Sequence, residues 1–197
     1  QMMGQTFTVK QYQKAPDKLR VETLMGESVM QTQIFTGEKA VMTGMMGNQE
    51  FTEGPQFEAM KMQAIMNMEM NYADYGIEKN LEGIATLDDT KAYRVEVITS
   101  TGEKSREFYD LETGLKIRTD SDAGTGNIKD YMSVDLEVTG EEPSFFGRLF
   151  GKKAPVTTYT LKFPSKIEQQ VQGQMLDMTV KEIKINTGIE DSKFQVN

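Results

Sequence analysis

Alternation of apolar and polar residues is the pattern that most restricts how this chain can fold. Residues 18–25 read KLRVETLM, in which the apolar Leu19 and Val21 alternate with charged side chains. A period of two residues is typical of a β-strand with one buried face. The same pattern recurs in the segments TFTVKQY (6–12), VMQTQIF (29–35), KAYRVEVITS (91–100) and KSREFYD (104–110). The chain is therefore predicted to be mainly β, with the polar face of each strand toward solvent.

One segment, residues 53–70, has helical character instead. It reads EGPQFEAMKMQAIMNMEM and holds strong helix formers with few β-branched residues. Its apolar residues recur at three- and four-residue steps, which forms one apolar stripe on a helix. Pro55 suits the first helical position, so a helix is predicted from about Pro55 to Met66. With about ten or eleven strands and this helix, a parallel βαβ arrangement is not expected.

Composition excludes several kinds of chemistry. The 197 residues suit one domain, and they include no histidine, cysteine or tryptophan. Ser-His-Asp and Cys-His catalysis, zinc sites built on those residues and disulfides are thereby excluded. A net charge of −8 makes nucleic acid a poor partner. We predict a protein that is not an enzyme and has no cofactor, and the absence of cysteine fits the cytosol and the periplasm equally well.

The segment DSDAGTGNIKDY (120–131) is similar to a calcium-binding loop at its first and third positions, Asp120 and Asp122. It departs from that pattern afterwards, because Thr125 stands where glycine is needed and Tyr131 replaces the bidentate glutamate. A glycine-rich hairpin turn is predicted here, and no metal site is expected.

Methionine is unusually frequent, with 15 residues in the chain, and many of them crowd the predicted helix and its approach. Flexible, polarizable thioethers suit apolar grooves that adapt to their ligand. Three interpretations stay open: a lid over a hydrophobic ligand, ordinary core packing, and a less favoured Cu(I) site. The groove and lid residues of the first interpretation are Phe57, Met60, Ala64, Ile65, Met66 and Met68.

An apolar and basic segment, EEPSFFGRLFGKKAP (141–155), is predicted to be an insertion between two strands. Clustered exposed phenylalanines mark interaction sites, and adjacent cations suit a membrane surface. Contact with a membrane or a partner protein is one interpretation, and packing onto the domain itself is the other. The residues that would carry such a contact are Phe145, Phe146, Arg148, Leu149, Phe150, Lys152 and Lys153.

Five longer strings carry a resemblance to a known family: YQKAPDKLRVE, FTGEKA, REFYDLETGLKIR, KFPSKIE and MTVKEIKINTGIEDSKFQV. Together they resemble periplasmic domains of Bacteroidota whose fold is like that of LolA and LolB, the carriers that sort lipoproteins to the outer membrane. Such domains also occur fused to insulinase-type zinc peptidases. The resemblance implies a half-open antiparallel β-barrel, or strongly curved sheet, with one or two helices on its concave face. It also implies an apolar space that receives acyl chains and a location in the periplasm or at the outer membrane.

This sequence departs from that family in three ways. The helix and first strand that precede the QMMGQ turn are expected to be missing, the arginine that locks the carrier lid has no counterpart, and there is no HxxEH motif. Residues 1–197 are predicted to form one such domain. The preferred hypothesis is a non-catalytic envelope protein that binds and transports a lipid or lipoprotein acyl chain. The alternative is a structural or protein-interaction domain with a closed cavity, which uses the 141–155 segment to contact an envelope protein or membrane.

Overall fold

The protein is mainly β, as the alternation predicts. The computed structural model describes residues 6–44, 47–66, 72–140, 154–171 and 173–195. Within these residues, strands account for 61% of the structure and form antiparallel sheets, and one α-helix accompanies them. The sequence-based prediction of an antiparallel β protein with a helix is therefore confirmed at this level.

The strands of the described residues lie in two sheets. The five-stranded sheet has the order β1-β2-β3-β4-β5, and the seven-stranded sheet has the order β12-β11-β10-β9-β8-β7-β6. The first sheet consists of β1 Thr8–Lys14, β2 Lys18–Met25, β3 Ser28–Phe35, β4 Ala40–Gly44 and β5 Gly47–Phe51, and helix α1, Pro55–Ala64, follows it. The second consists of β6 Glu78–Leu87, β7 Thr90–Ile98, β8 Lys104–Asp110, β9 Lys116–Ser121, β10 Gly124–Thr139, β11 Val156–Val171 and β12 Gln174–Thr179. Short 3₁₀ helices lie at Tyr72–Tyr75 and Asp191–Phe194.

The chain divides into two compact units. The first comprises Gln1–Lys79, Val97–Glu103 and Asn186–Asn197, and the second comprises Asn80–Glu96 and Lys104–Ile185. The five-stranded sheet and α1 belong to the first unit, and most of the seven-stranded sheet belongs to the second. Each unit is assembled from separate stretches of the sequence.

The core of the first unit lies between α1 and one face of its sheet. Register pairs Leu19 with Phe35 and Phe35 with Ala40, so these three side chains share a face, and each is 0% exposed. Helix α1 adds Met60 and Ala64 to the same cluster. The apolar side chains of the helix stripe therefore pack against the apolar face of the strands in one buried layer.

Local chemistry sets the limits of α1. Gly54, with φ 93°, precedes the helix and adopts a backbone conformation that other residues rarely take. Pro55 follows at the start of the helix, where its missing N–H costs no hydrogen bond, and the Gly54 carbonyl accepts from the Glu58 N–H at 3.0 Å. The helix ends at Ala64, two residues before the predicted end, because Ile65 has an extended backbone.

Several strands differ in length from the sequence-based prediction. The alternation predicts strands at 127–134 and 162–171, but β10 and β11 are 16 residues each and pair along most of their length. The sequence also predicts a strand from 174 to 186, but in the structure this strand ends at Thr179. Beyond Thr179, the Val180 N–H donates to the Ser165 carbonyl of β11 at 2.8 Å, which continues the pairing by one bond.

Candidate functional site

Three of the residues predicted to line a groove, Phe57, Met60 and Ala64, lie on the side of α1 that faces the five-stranded sheet. Met60 is 6% exposed, Ala64 0% and Ile65 9%, so these three side chains are buried. Phe57 is partly buried, and its ring lies 5.4 Å from that of Phe35 at an interplanar angle of 53°. Helix and sheet side chains therefore pack directly against each other at these positions.

The remaining predicted groove residues lie apart from this layer. Met66 follows the helix and is 37% exposed, while Met68 falls outside the described residues. Lys61 lies on the same helix, with its Nζ 6.0 Å from the Phe57 ring centre. The structure thus separates the predicted set into core residues and a methionine at the surface.

The predicted contact residues of the 141–155 segment lie outside the described residues, namely Phe145, Phe146, Arg148, Leu149, Phe150, Lys152 and Lys153. Its two flanks belong to neighbouring strands: β10 ends at Thr139 and β11 begins at Val156. The Gly140 N–H donates to the Pro155 carbonyl at 2.7 Å, which extends the pairing of the two strands toward the segment. Its contact role stays a prediction.

Strands β10 and β11 form a long hairpin in the second unit, and one of its faces is apolar. Register pairs Met132 with Phe163, Val134 with Leu161 and Leu136 with Tyr159. Alternation places these cross-strand pairs and Val138 on one face of the sheet. We call this surface the hairpin face: Met132, Val134, Leu136, Val138, Tyr159, Leu161 and Phe163.

The opposite face of the same hairpin is polar. Thr160 donates from Oγ1 to the Asp135 carboxylate at 2.7 Å, and Lys162 Nζ donates to Ser133 Oγ at 2.7 Å. These side chains are exposed, as is Glu137 between them and the end of β10. Polar groups therefore pair with one another on this side, where the exposed Val156 at the end of β11 is the apolar exception.

The hairpin face is only partly covered. Val138 is 43% exposed and Tyr159 is 53% exposed, while Met132, Val134 and Leu136 are half-buried. From Met132 to Val138 the surface extends about 20 Å at the usual strand rise. Sequence reasoning missed this surface, although the alternation in MSVDLEV is visible beyond the predicted end of the strand.

A buried ion pair lies in the same unit on β8 and β9. The Glu107 carboxylate accepts from Tyr109 Oη at 2.6 Å and from Lys116 Nζ at 3.0 Å. Glu107 is 6% exposed, and the Tyr131 hydroxyl of β10 donates to the Lys116 carbonyl. A buried charge needs hydrogen-bonding partners. The hydrogen bonds around Glu107 and Lys116 link the three neighbouring strands β8, β9 and β10.

The first unit also has an open depression of about 450 Å³ on its sheet. Thr32 and Thr43 form a cross-strand pair there, on the face opposite Leu19 and Phe35. None of the predicted groove residues borders it, since its lining consists of Val29, Met30, Gln31, Thr32, Thr43, Gly44 and Asn48. Its mixed lining offers no concentration of charge.

Within the described ranges, no group of three or more acidic side chains is arranged to hold a metal ion. No helix in that part of the chain is long and apolar enough to cross a membrane. Comparison with protein-family models, curated proteins and solved structures finds no match to this chain. The chemistry of the surfaces described above therefore carries the functional proposal.

Proposed function

We propose that this protein is a non-catalytic envelope protein that binds a hydrophobic molecule, with acyl chains as its ligand class. The observation that supports this most directly is the half-exposed hairpin face. Apolar side chains that lie contiguously at a surface, and not scattered singly, are a feature of sites that contact an apolar partner. The family resemblance points to the same ligand class and to the periplasm or outer membrane as the location.

The chemistry of the hairpin face suits an aliphatic ligand. Among the paired residues from Met132 to Val138 and from Thr157 to Phe163, no charged side chain projects onto this face, and Thr157 is its one polar residue. An acyl chain would be held by leaving water, at about 0.8 kcal/mol for each buried methylene. A charged ligand would lose its hydration there without gaining a partner. The surface is about 20 Å long, comparable to an extended long-chain acyl group.

Helix α1 offers a second location for the ligand. Met60 and Ala64 already fill the layer between α1 and the sheet, so an acyl chain would have to displace core side chains there. On the hairpin face no such displacement is needed. The proposal therefore places the acyl chain on the second unit and leaves Met66 as the part of the predicted lid that is accessible to a ligand.

A structural or protein-interaction role is the competing proposal. It is favoured by the close packing of Met60 and Ala64 in the first unit, which is the arrangement expected of a closed cavity. In that case the 141–155 segment would carry the contact. Loss of a complex in a Phe146→Asp, Phe150→Asp variant that stays folded would support this role.

The test begins with organic extraction of the purified protein and mass spectrometry of the extract. Binding of a fluorescent long-chain fatty acid to delipidated protein is then compared between two double variants. Tyr159→Asn with Leu161→Asn removes apolar area from the hairpin face, and Thr158→Asn with Thr160→Asn makes the same change on the opposite face. Asparagine is uncharged, so neither variant repels the carboxylate of the probe.

We expect the Tyr159, Leu161 variant to bind the probe at least about tenfold more weakly, since it loses two apolar contacts. The Thr158, Thr160 variant should bind as the unmodified protein does. A clean extract without saturable binding would overturn the proposal. Equal weakening by both variants would remove the hairpin face as the site. Weakening by a Met66→Asn variant alone would move the ligand to the helix.

A further inference from the structure

The C-terminal segment of the first unit lies on the second face of the five-stranded sheet. Arg20 and Glu22 alternate with Leu19 and Val21 and so project away from α1. On that side, Arg20 Nη1 donates to the Lys193 carbonyl at 3.2 Å, and Lys193 Nζ lies 4.2 Å above the Tyr12 ring. Phe194 is 2% exposed, so this segment buries an aromatic side chain within the unit.

Ionic contacts provide most of the other interactions that hold the C-terminal segment on β1 and β2. The Asp191 carboxylate lies 2.9 Å from Lys14 Nζ and 3.0 Å from Lys18 Nζ. Lys14 Nζ also donates to the Ile189 carbonyl at 2.9 Å. The Lys193 ammonium lies 3.5 Å from Glu22 Oε1, which Arg20 Nε also contacts at 2.6 Å. One aromatic anchor and a set of charges hold the segment in place.

The segment has little structure of its own. Its 3₁₀ helix is four residues long, and Glu190 before it provides no side-chain cap. No helix or strand is assigned to residues 180–190. Asn186 and Gly188 have positive φ angles of 56° and 66°, so the chain turns just before the segment. Its position therefore depends on the contacts it makes with β1 and β2.

We propose that Ile189–Phe194 is a releasable strap over this face of the sheet, and that high salt and low pH promote its release. Local opening of this kind is expected where few apolar contacts and many exposed polar ones hold a segment. Release would uncover the side of β2 that carries Arg20 and Glu22, which the strap contacts. Ile34, the register partner of Arg20, lies on the same face of the sheet, as does the open depression at Thr32 and Thr43. Release would therefore enlarge the accessible surface on that face.

Salt weakens the strap because its charges are accessible. The side chains of Asp191, Lys14 and Lys18 are 62%, 39% and 30% exposed, and pairs of that kind are screened by salt. The Glu22 carboxylate is more protected, at 11% exposure. We therefore expect the attachment through Asp191 to respond to ionic strength before that through Glu22.

Low pH acts through the two carboxylates. Hydrogen bonds and charges of Lys14 and Lys18 lower the pKa of Asp191. Burial raises the pKa of Glu22, but the hydrogen bond from Arg20 and the charges of Lys193 and Arg20 outweigh it and lower that pKa. A lowered pKa means that each contact is complete above the ordinary carboxyl range and is lost as pH falls.

Apart from Glu190, the groups that face these carboxylates are basic or neutral. From β1 they are Lys10, Tyr12 and Lys14, from β2 they are Lys18 and Arg20, and the strap itself adds Glu190 and Lys193. Once Asp191 and Glu22 are protonated, the cations of the sheet and of the strap repel one another. Acidification therefore acts in the same direction as salt.

Hydrogen exchange of the full chain tests the strap directly. The reporting amides are those of Lys193 and Gln195, which donate to the Glu190 and Ser192 carbonyls at 3.1 and 3.2 Å. Exchange is followed by mass spectrometry at low and at 1 M salt for the unmodified protein and for a Lys14→Gln, Lys18→Gln variant. Lys39→Gln, which removes an exposed pair with Glu50 elsewhere in the same sheet, is the control.

We expect the double variant at low salt to exchange about five- to tenfold faster at residues 189–195, with β2 and β3 unchanged. In the unmodified protein, 1 M salt should raise the exchange rate at residues 189–195 toward that of the double variant. The Lys39→Gln variant should exchange at the same rate as the unmodified protein at low salt. Exchange that responds neither to salt nor to the double substitution would overturn the proposal. So would an acceleration shared equally by β1 to β5, because the segment would then unfold with the sheet and not as a strap.

Discussion

Replacing Met60 with alanine distinguishes a core role for α1 from a ligand-lining role. Met60 is 6% exposed and packs in one cluster with Leu19, Phe35 and Ala64. The layer is bounded by a helix on one side and a hydrogen-bonded sheet on the other, so it cannot fully collapse around a missing side chain. The substitution should therefore lower the free energy of unfolding of the first unit.

The expected loss is about 2–4 kcal/mol, the range for truncating a buried methionine when part of the cavity remains. Met66→Ala is the matched control, because the same side chain is removed close by from a position that is 37% exposed. A surface change of that kind should stay within about 0.5 kcal/mol. The difference between the two variants is the quantity of interest.

Urea unfolding monitored by fluorescence can measure this difference in unfolding free energy between the Met60→Ala and Met66→Ala variants. The chain has no tryptophan, so Phe57→Trp introduces a single reporter that is partly buried beside Phe35 in the first unit. With a slope of about 2 kcal/mol/M, the expected loss moves the unfolding midpoint by about 1–2 M. Each methionine variant is made in this background.

The reasoning is refuted if the midpoints of Met60→Ala and Met66→Ala agree within about 0.2 M. Met60 would then contribute no more packing than an accessible side chain does. The space beneath the helix would have to be loose enough to accept a ligand, and the acyl chain would be sought there before the hairpin face.

Two other substitutions test one unit each. In the second unit, Gly124 has a φ of 138°, and a Cβ there would lie 1.8 Å from the Gln170 carbonyl oxygen. Gly124→Ala should lower the free energy of unfolding by at least about 2 kcal/mol, as measured by circular dichroism during denaturation. A denaturation curve equal to that of the unmodified protein would contradict the close approach of β10 to β11 at Gly124. In the first unit, Glu22→Gln leaves Arg20 and Lys193 without their buried anion. The free energy of unfolding of the unmodified protein should decrease as pH falls below the ordinary carboxyl value of 4.5, and that of the variant should decrease less. If the two curves of unfolding free energy against pH run parallel from about pH 7 to 3, Glu22 does not contribute to the pH dependence.

Local alternation was sufficient to predict strands β1 to β3 of the first sheet, but not β5, whose sequence GNQEF does not alternate. The strand predicted at Lys18–Met25 is β2, because KLRVETLM alternates cleanly between two turns. Alternation also predicted an outward, solvated face for Arg20 and Glu22, yet Glu22 is 8% exposed. The residues that cover it lie about 170 positions away in sequence, and a local pattern carries no information about such a contact.

The candidate site was harder to predict from sequence. Met132, Val134 and Leu136 alternate with polar residues, so an apolar face was visible on β10 alone. Pairing with Tyr159, Leu161 and Phe163 depends on the register across the intervening 141–155 segment, and a shift of one residue would have put these side chains on the other face. For the helix, the stripe correctly indicated a buried side, but a stripe does not say whether side chains or a ligand fill it.

The strap also bears on the order in which the first unit is completed during synthesis. Strands β1 to β5 pair with their neighbours in sequence, and α1 follows directly, so this part can form early on the ribosome. Asp191 is synthesised 173 residues after Lys18, the cation it contacts. Throughout that interval Arg20 and Glu22 on the nascent sheet lack their contacts with Lys193, so this face stays open to incorrect contacts until the strap emerges.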